Sequence, residues 1–224
     1  MVQFRTFMVM YLAEMDPFFK KRPNSFKKPR INIHIYTEGD TEQAYFDGLN
    51  HQLNGTDYRI QLEGKKPDVY ALLNNSQVLI KDLPSEDSIW IIFDYEDNKY
   101  TTDNIIKLND KVIKINKSSK AKIHLIISNP CFELWVLLHY EFINTKLLCA
   151  ELKTKLIEKW IPNYKKGTNF DFTNVYYKTD IAVKHAKQLI NYHKEDNKSM
   201  LEKEANPCTN MYKFLEFIEK IKNP

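Results

Sequence analysis

The sequence predicts an α/β protein: a mainly parallel, four-stranded sheet flanked by helices, with a helical C-terminal extension. Three observations lead there. Short apolar runs of strand length alternate four times with longer stretches of helical periodicity. The run Ser88–Asp94 (SIWIIFD) is apolar almost throughout, as in a strand covered on both faces. Beyond about residue 141 the strand pattern stops and only helical segments follow. Strand–helix alternation of this kind requires crossover connections, which are right-handed and set the strands parallel.

The elements follow in order. Ile31–Tyr36 alternates strictly, placing Ile31, Ile33 and Ile35 on one face of the first strand. Thr41–Leu53 carries Ala44, Tyr45, Leu49 and Leu53 at helical spacings, and Tyr58–Leu62 reads as the second strand. Pro67 suits the first turn of a helix continuing through Val69, Leu72, Leu73 and Leu79. After the third strand, Ser88–Asp94, comes a helix over Asp103–Ile115 and a fourth strand over Ala121–Ile127. Asn129-Pro130 then has the form of a helix start, with Asn as cap and Pro in the first turn, opening a helix over Cys131–His139. Leu134, Trp135 and Leu138 are expected to face the sheet. Helices over Leu147–Trp160, Thr179–Tyr192 and Thr209–Ile221 complete the chain. The resulting division is an N-terminal extension and basic arm (1–30), an α/β core (31–141) and a helical extension packed on it (142–224).

Composition narrows the function. With 43% hydrophobic residues and 13% aromatics, a packed core is within reach and wholesale disorder is excluded. Three cysteines without C-x-x-C spacing argue against a disulfide framework or a cysteine zinc site, and Cys131 reads as a small packed residue. Trp90, Trp135 and Trp160 read as core aromatics and His139 as a surface or core-edge residue. The apolar run Phe7–Ala13 is too short to span a bilayer and has no signal-peptide pattern, so the expected address is the cytoplasm. A net charge of +4 is too mild to mark a nucleic-acid binder. The positive charge is nevertheless concentrated: Lys20, Lys21, Arg22, Lys27, Lys28 and Arg30 crowd one Pro-punctuated arm that either contacts phosphates or is simply solvated.

In open α/β sheets, ligands gather outside the carboxyl ends of the strands. Three of those ends are acidic. The first strand runs into Glu38-Gly39-Asp40-Thr41-Glu42, the third into Asp94-Tyr95-Glu96-Asp97, and the fourth into Ser128-Asn129-Pro130-Cys131-Phe132-Glu133. Asp40 or Thr41 could simply cap the following helix, whereas Glu38 lies too early to do so. Carboxylates without His or Cys partners suit Mg²⁺ or Mn²⁺, not zinc. Magnesium held by a few carboxylates, with waters left exchangeable, serves phosphodiester chemistry.

The Glu38–Glu42 segment resembles the opening signature of Toprim domains. Together with Ser128–Tyr140 (SNPCFELWVLLHY), Tyr164-Lys165-Lys166 and Asn206-Pro207-Cys208-Thr209, it is similar to the RloB-like family over roughly residues 29–220. That resemblance implies a Toprim-like (Rossmann-like) core in which Glu38 and Asp94 bind Mg²⁺ or Mn²⁺. The family's second Asp falls on Glu96, so either Glu96 or the adjacent Asp97 serves as the further ligand. Glu42, Ser128, Asn129, Glu133 and Lys166 are candidates for the wall of the site. RloB-like proteins belong to bacterial restriction and abortive-infection loci, often beside an ATPase. The resemblance therefore implies a metal-dependent nuclease effector acting on RNA or DNA in antiphage defence, with Glu38 as general base or ligand and Lys166 or the arm lysines against phosphate. A non-catalytic Toprim module that binds a ligand or regulates the ATPase is the alternative.

Overall fold

A computed structural model describes residues 30–53, 56–66, 68–96, 99–165 and 173–222. The first 29 residues, Pro67, Asp97 and Lys166 lie outside the described residues. The element order is β1 (Ile31–Thr37), α1 (Asp40–Gln52), β2 (Tyr58–Lys65), α2 (Val69–Leu79), β3 (Ser88–Asp94), α3 (Thr102–Ser118), β4 (Lys122–Asn129) and α4 (Glu133–Leu138). There follow α5 (Cys149–Lys155), a π-helical turn (Leu156–Trp160), α6 (Thr173–Tyr176), α7 (Thr179–Glu195), β5 (Cys208–Thr209) and α8 (Tyr212–Lys222).

The sheet has five strands in the order β2-β1-β3-β4-β5. The first four are parallel, and β5 is antiparallel to β4 through Ser128–Thr209 and Asn129–Cys208. The expectation of four strands misses β5, and Thr209, expected in the last helix, belongs to it. Period-two alternation divides the core. Ile33, Ile35, Trp90 and Ile92 face one apolar layer with α1, α4, α7 and α8, where Tyr45, Phe46, Trp135 and Phe214 are buried. Tyr36, Ile89, Ile91 and Phe93 face the other layer, with Leu72 and Leu73 of α2 and Ile105 and Leu108 of α3. β3, central and buried along its whole length, explains its uninterrupted apolar sequence.

Local signals account for the starts of α2 and α3. Asp68 accepts the Ala71 amide at 3.1 Å ahead of α2, and Thr101 and Asn104 form a reciprocal capping box ahead of α3. Neither Asp40 nor Thr41 caps α1. Gly39 holds that position; Asp40 pairs with Lys65, and the Thr41 hydroxyl lies 3.4 Å from that of Tyr164.

Asn129-Pro130 does not open a helix. Asn129 is the last residue of β4, joined to Pro130 by a cis peptide bond, and α4 begins at Glu133. Asn129 does not cap because it ends the strand ahead of Phe132, which holds the cap position of α4; its side-chain amide donates instead to the carbonyls of Lys203 and Ala205, at 3.1 and 3.0 Å. α4 is buried on every side, Leu134, Trp135 and Leu138 included. Two further expectations change: His139 is buried, its Nδ1 2.8 Å from the Trp135 carbonyl, while Trp160 is 39% exposed and stacks on Tyr140.

Beyond the reach of β5, two asparagine side chains cover the outer edge of β4. Asn210 accepts the Ile127 amide at 2.7 Å and donates to the Leu125 carbonyl at 2.9 Å. Asn116 accepts the Ile123 amide and donates to its carbonyl, both at 2.8 Å. Among the described residues no helix is long and apolar enough to cross a membrane.

Candidate functional site

With β1 beside β3 and β3 beside β4, the carboxyl ends of three parallel strands meet along one rim. Glu38 is the first residue beyond β1 and Asp94 the last of β3. Glu42 lies in the first turn of α1, and Glu133 is the first residue of α4. All four side chains are nearly sealed from water: residue exposures are 2% for Glu42, 5% for Asp94 and 1% for Glu133, and the Glu38 side chain is 6% exposed. Burying charged carboxylates costs several kcal/mol each unless partners compensate, so the partners define what the site can do.

Glu38 is well supplied. Its Oε1 accepts from the Tyr100 hydroxyl at 2.8 Å; its Oε2 accepts from Lys99 Nζ at 2.9 Å and from the Asp94 backbone amide at 3.3 Å. Burial raises its pKa, against the opposing pull of Lys99, Tyr100 and the Asp94 amide. Tyr100 is itself held by the Val69 amide, which donates to its hydroxyl at 3.0 Å, so the Glu38 carboxylate has a fixed seat. Glu133 accepts from the Tyr164 hydroxyl at 3.0 Å, and Lys153 Nζ stands 3.9 Å from its Oε1. The Glu42 carboxylate lies against Gly39, where an added Cβ would meet Oε2 and push the carboxylate aside.

Asp94 is the exception. Its pKa is raised well above the ordinary range, first by burial and then by the charges of Glu42, Glu133 and Glu38. Its Oδ1 is buried with no hydrogen-bond partner. Among the described residues no group of three or more His, Cys, Asp or Glu side chains stands ready to hold a metal ion. The Glu38 and Glu133 carboxylates are instead engaged by Lys99, Tyr100 and Tyr164.

The other residues picked from sequence divide clearly. The Ser128 hydroxyl meets that of Thr209 at 3.1 Å inside the sheet, and Asn129 tethers the 203–205 segment, so both hold the rim together. Glu96 occupies a left-handed turn (φ 39°), its amide bonded to the Pro130 carbonyl at 3.1 Å. Its charge bears on Cys149. The carboxylates bearing most on Asp94 are Glu42, Glu133 and Glu38. Lys99, Tyr100 and Lys153 escaped sequence reading, since nothing in their spacing marks them; Tyr164 was visible only as part of a motif.

A separate cavity lies away from this rim. Of about 510 Å³, it opens between the C-terminal ends of α2 and α3, lined by Ile80, Leu83 and Ile115 with Lys81 and Lys120. Its walls hold none of the four carboxylates, and the chemistry of the rim outweighs its size.

A family model described as RloB-like protein matches residues 33–218. The chain belongs to the RloB-like family. No curated protein and no solved structure matches it. In this RloB-like chain the matched region starts within β1 and ends within α8, so it takes in the four buried carboxylates and every partner named above.

Proposed function

We propose that this RloB-like protein is a Toprim-type nuclease that uses Mg²⁺ or Mn²⁺ to cleave phosphodiester bonds of RNA or DNA in antiphage defence, as an abortive-infection effector beside a co-encoded ATPase. The observation that carries the reading is Asp94: a buried carboxylate with an unpartnered oxygen, pressed by three others at the carboxyl rim of a parallel sheet. Such an arrangement is costly without a cation, and its all-oxygen donor set suits a hard divalent ion that retains several waters. Glu38 and Asp94 would hold it, with Glu42 or Glu133 completing the set and Glu96 or Asp97 reaching in from the following loop. The metal would neutralise charge on the phosphoryl group and lower the pKa of a bound water. The β2-β1-β3-β4 parallel order, with acidic ends on adjacent β1 and β3, supports the Toprim assignment.

The chain's own groups have separable roles. Tyr100 and the Asp94 amide fix the Glu38 carboxylate, and Tyr164 fixes Glu133. Lys99 and Lys153, both part-exposed beside the carboxylates, would meet phosphate oxygens of an incoming strand.

One observation favours a second reading, a ligand-binding or regulatory module: the Lys99 ammonium already neutralises Glu38, and among the described residues no three-ligand cage is gathered. Cleavage assays with Mg²⁺ or Mn²⁺, alone and with the co-encoded ATPase, separate the two. The nuclease reading expects metal-dependent cleavage that Glu38→Gln and Asp94→Asn abolish. Phage protection that survives Glu38→Gln, in a folded protein without metal-dependent cleavage, would establish the module instead.

A further inference from the structure

Of the three tryptophans, Trp90 and Trp135 are buried in the core, whereas Trp160 is exposed and belongs to neither apolar layer. It ends the π-helical turn and lies over Tyr140, with ring centroids 5.2 Å apart and planes 24° from parallel. Lys178 Nζ sits over the same Tyr140 ring, 4.3 Å from its centroid. The next residue back, Tyr177, is 86% exposed. A large flat ring kept at the surface buries little apolar area, and π-turns of this kind recur at functional sites.

The stack is also tied to the acidic rim. Tyr140 closes the last turn of α4, about 10 Å of helical rise from Glu133 at its start. α5 and the π-turn accompany that helix: Lys153 Nζ stands 3.9 Å from Glu133 and Lys155 Nζ 2.7 Å from Glu141, beside Tyr140 in the chain. This segment carries Lys153, Lys155 and Lys159 against Glu151 and Glu158. Rings backed by cations, within a nucleotide or two of the carboxylates, match a ligand made of flat bases joined by phosphates.

We propose that Trp160 and Tyr140 form a stacking platform for an unpaired base of single-stranded RNA or DNA. The proposal rests on the nuclease reading for its class of ligand and adds how the strand is held. A base laid on the exposed Trp160 ring extends the aromatic column, while Lys159 and Lys178 face the phosphates on either side of it. In a duplex the bases already stack on one another, so the platform selects single strands and tolerates any sequence.

The experiment titrates dye-labelled single-stranded oligonucleotides, RNA and DNA in separate arms, with the full-length chain in EDTA and reads fluorescence anisotropy. Trp160→Ala, which removes an exposed side chain and leaves the core intact, should raise the Kd on the order of 10–100-fold. Trp160→Phe keeps a flat ring and should restore most of the affinity. A strand of abasic sites should bind wild type and Trp160→Ala alike. Binding should also quench tryptophan emission in the wild type but not in Trp160→Phe, whose remaining tryptophans are buried. Equal Kd values for wild type and Trp160→Ala, or no binding of single strands by the wild type, would overturn the proposal. So would a dimer dispersed by Trp160→Ala in place of oligonucleotide binding, which would assign the ring to a second copy. Metal-dependent cleavage with an unchanged KM in Trp160→Ala would keep the nuclease reading and remove the platform. Binding that depends on Trp160, without cleavage under any metal, would keep the platform and remove the nuclease.

Discussion

The two ends of the parallel strands treat buried acidic groups in opposite ways. Near the amino ends, Asp87 is 5% exposed, yet it accepts from the Asn32 amide at 2.9 Å and from the Asn32 side chain at 3.3 Å, with His34 Nε2 at 3.5 Å. Gln61 holds Asn32 from β2 at 2.9 Å, and Glu63 holds His34 at 2.6 Å. At the carboxyl ends, Asp94 is just as buried but keeps an unpartnered oxygen among three other carboxylates. Both ends are built from the same strands, so the difference is not one of local propensity. A buried carboxylate with both oxygens hydrogen-bonded, as Asp87 has, holds a fold together; one left short of partners and positive charge, as Asp94 is, spends stability on function.

The largest expected effect breaks the carboxyl end chemically. If the nuclease reading holds, Glu38→Gln and Asp94→Asn each lower metal-dependent cleavage on the order of 10²–10⁴-fold, while Asp87→Ala leaves the rate near wild type. Single-turnover cleavage of labelled RNA and DNA decides this. Next, Mg²⁺ should raise the melting temperature, since a ligand at about 100 times its Kd adds about 2.7 kcal/mol. Asp94→Asn should lose that increment, and Mg²⁺-independent melting of the wild type would count against a metal at this rim.

Asp87→Ala should destabilise by about 1–3 kcal/mol, because it orphans the part-buried Asn32 amide, lowering the melting temperature by about 2–4 °C for each kcal/mol. Asp94→Asn should do the reverse in the metal-free protein at neutral pH. The sign follows from the raised pKa: between the unfolded value of about 3.9 and the higher folded value, the folded chain binds more protons than the unfolded one. Stability from Asp94 is therefore full below the unfolded pKa and is lost as pH rises through the folded one. Thermal melts across that window should slope downward with pH in the wild type and less so in Asp94→Asn; an equal slope would remove Asp94 as the cause. The smallest effect belongs to Tyr164→Phe, which removes one bond to Glu133 and should cost about 0.5–1.5 kcal/mol by chemical denaturation.

The contrast also explains what sequence could and could not reveal. The four parallel strands were legible because apolar alternation and the run through Trp90–Phe93 extend over many residues. β5 was not, since Cys208–Thr209 is too short to carry a period. Asn129-Pro130 has the letters of a helix start, but the loop at Lys203 and Ala205 claims the asparagine, and that loop is far away in sequence. Trp160 sits in a helical pattern that continues as a π-turn, and the altered phase brings it out of the core to Tyr140. Glu38 and Asp94 were readable as strand-end acids. Lys99, Tyr100, Lys153 and Tyr164 were not, because each earns its place by a tertiary contact that composition and spacing do not record.

The two asparagines along β4 have a consequence beyond the site. A strand whose outer amides and carbonyls are open invites another chain to pair with it, and KIHLII is the kind of segment that would accept. Asn210 presents to Ile127 and Leu125 what a neighbouring backbone would present, and Asn116 does so at Ile123. Because Asn210 follows β5 directly, the C-terminal segment is the selvedge of the sheet: it stops the weave from taking on foreign thread along the side of β4.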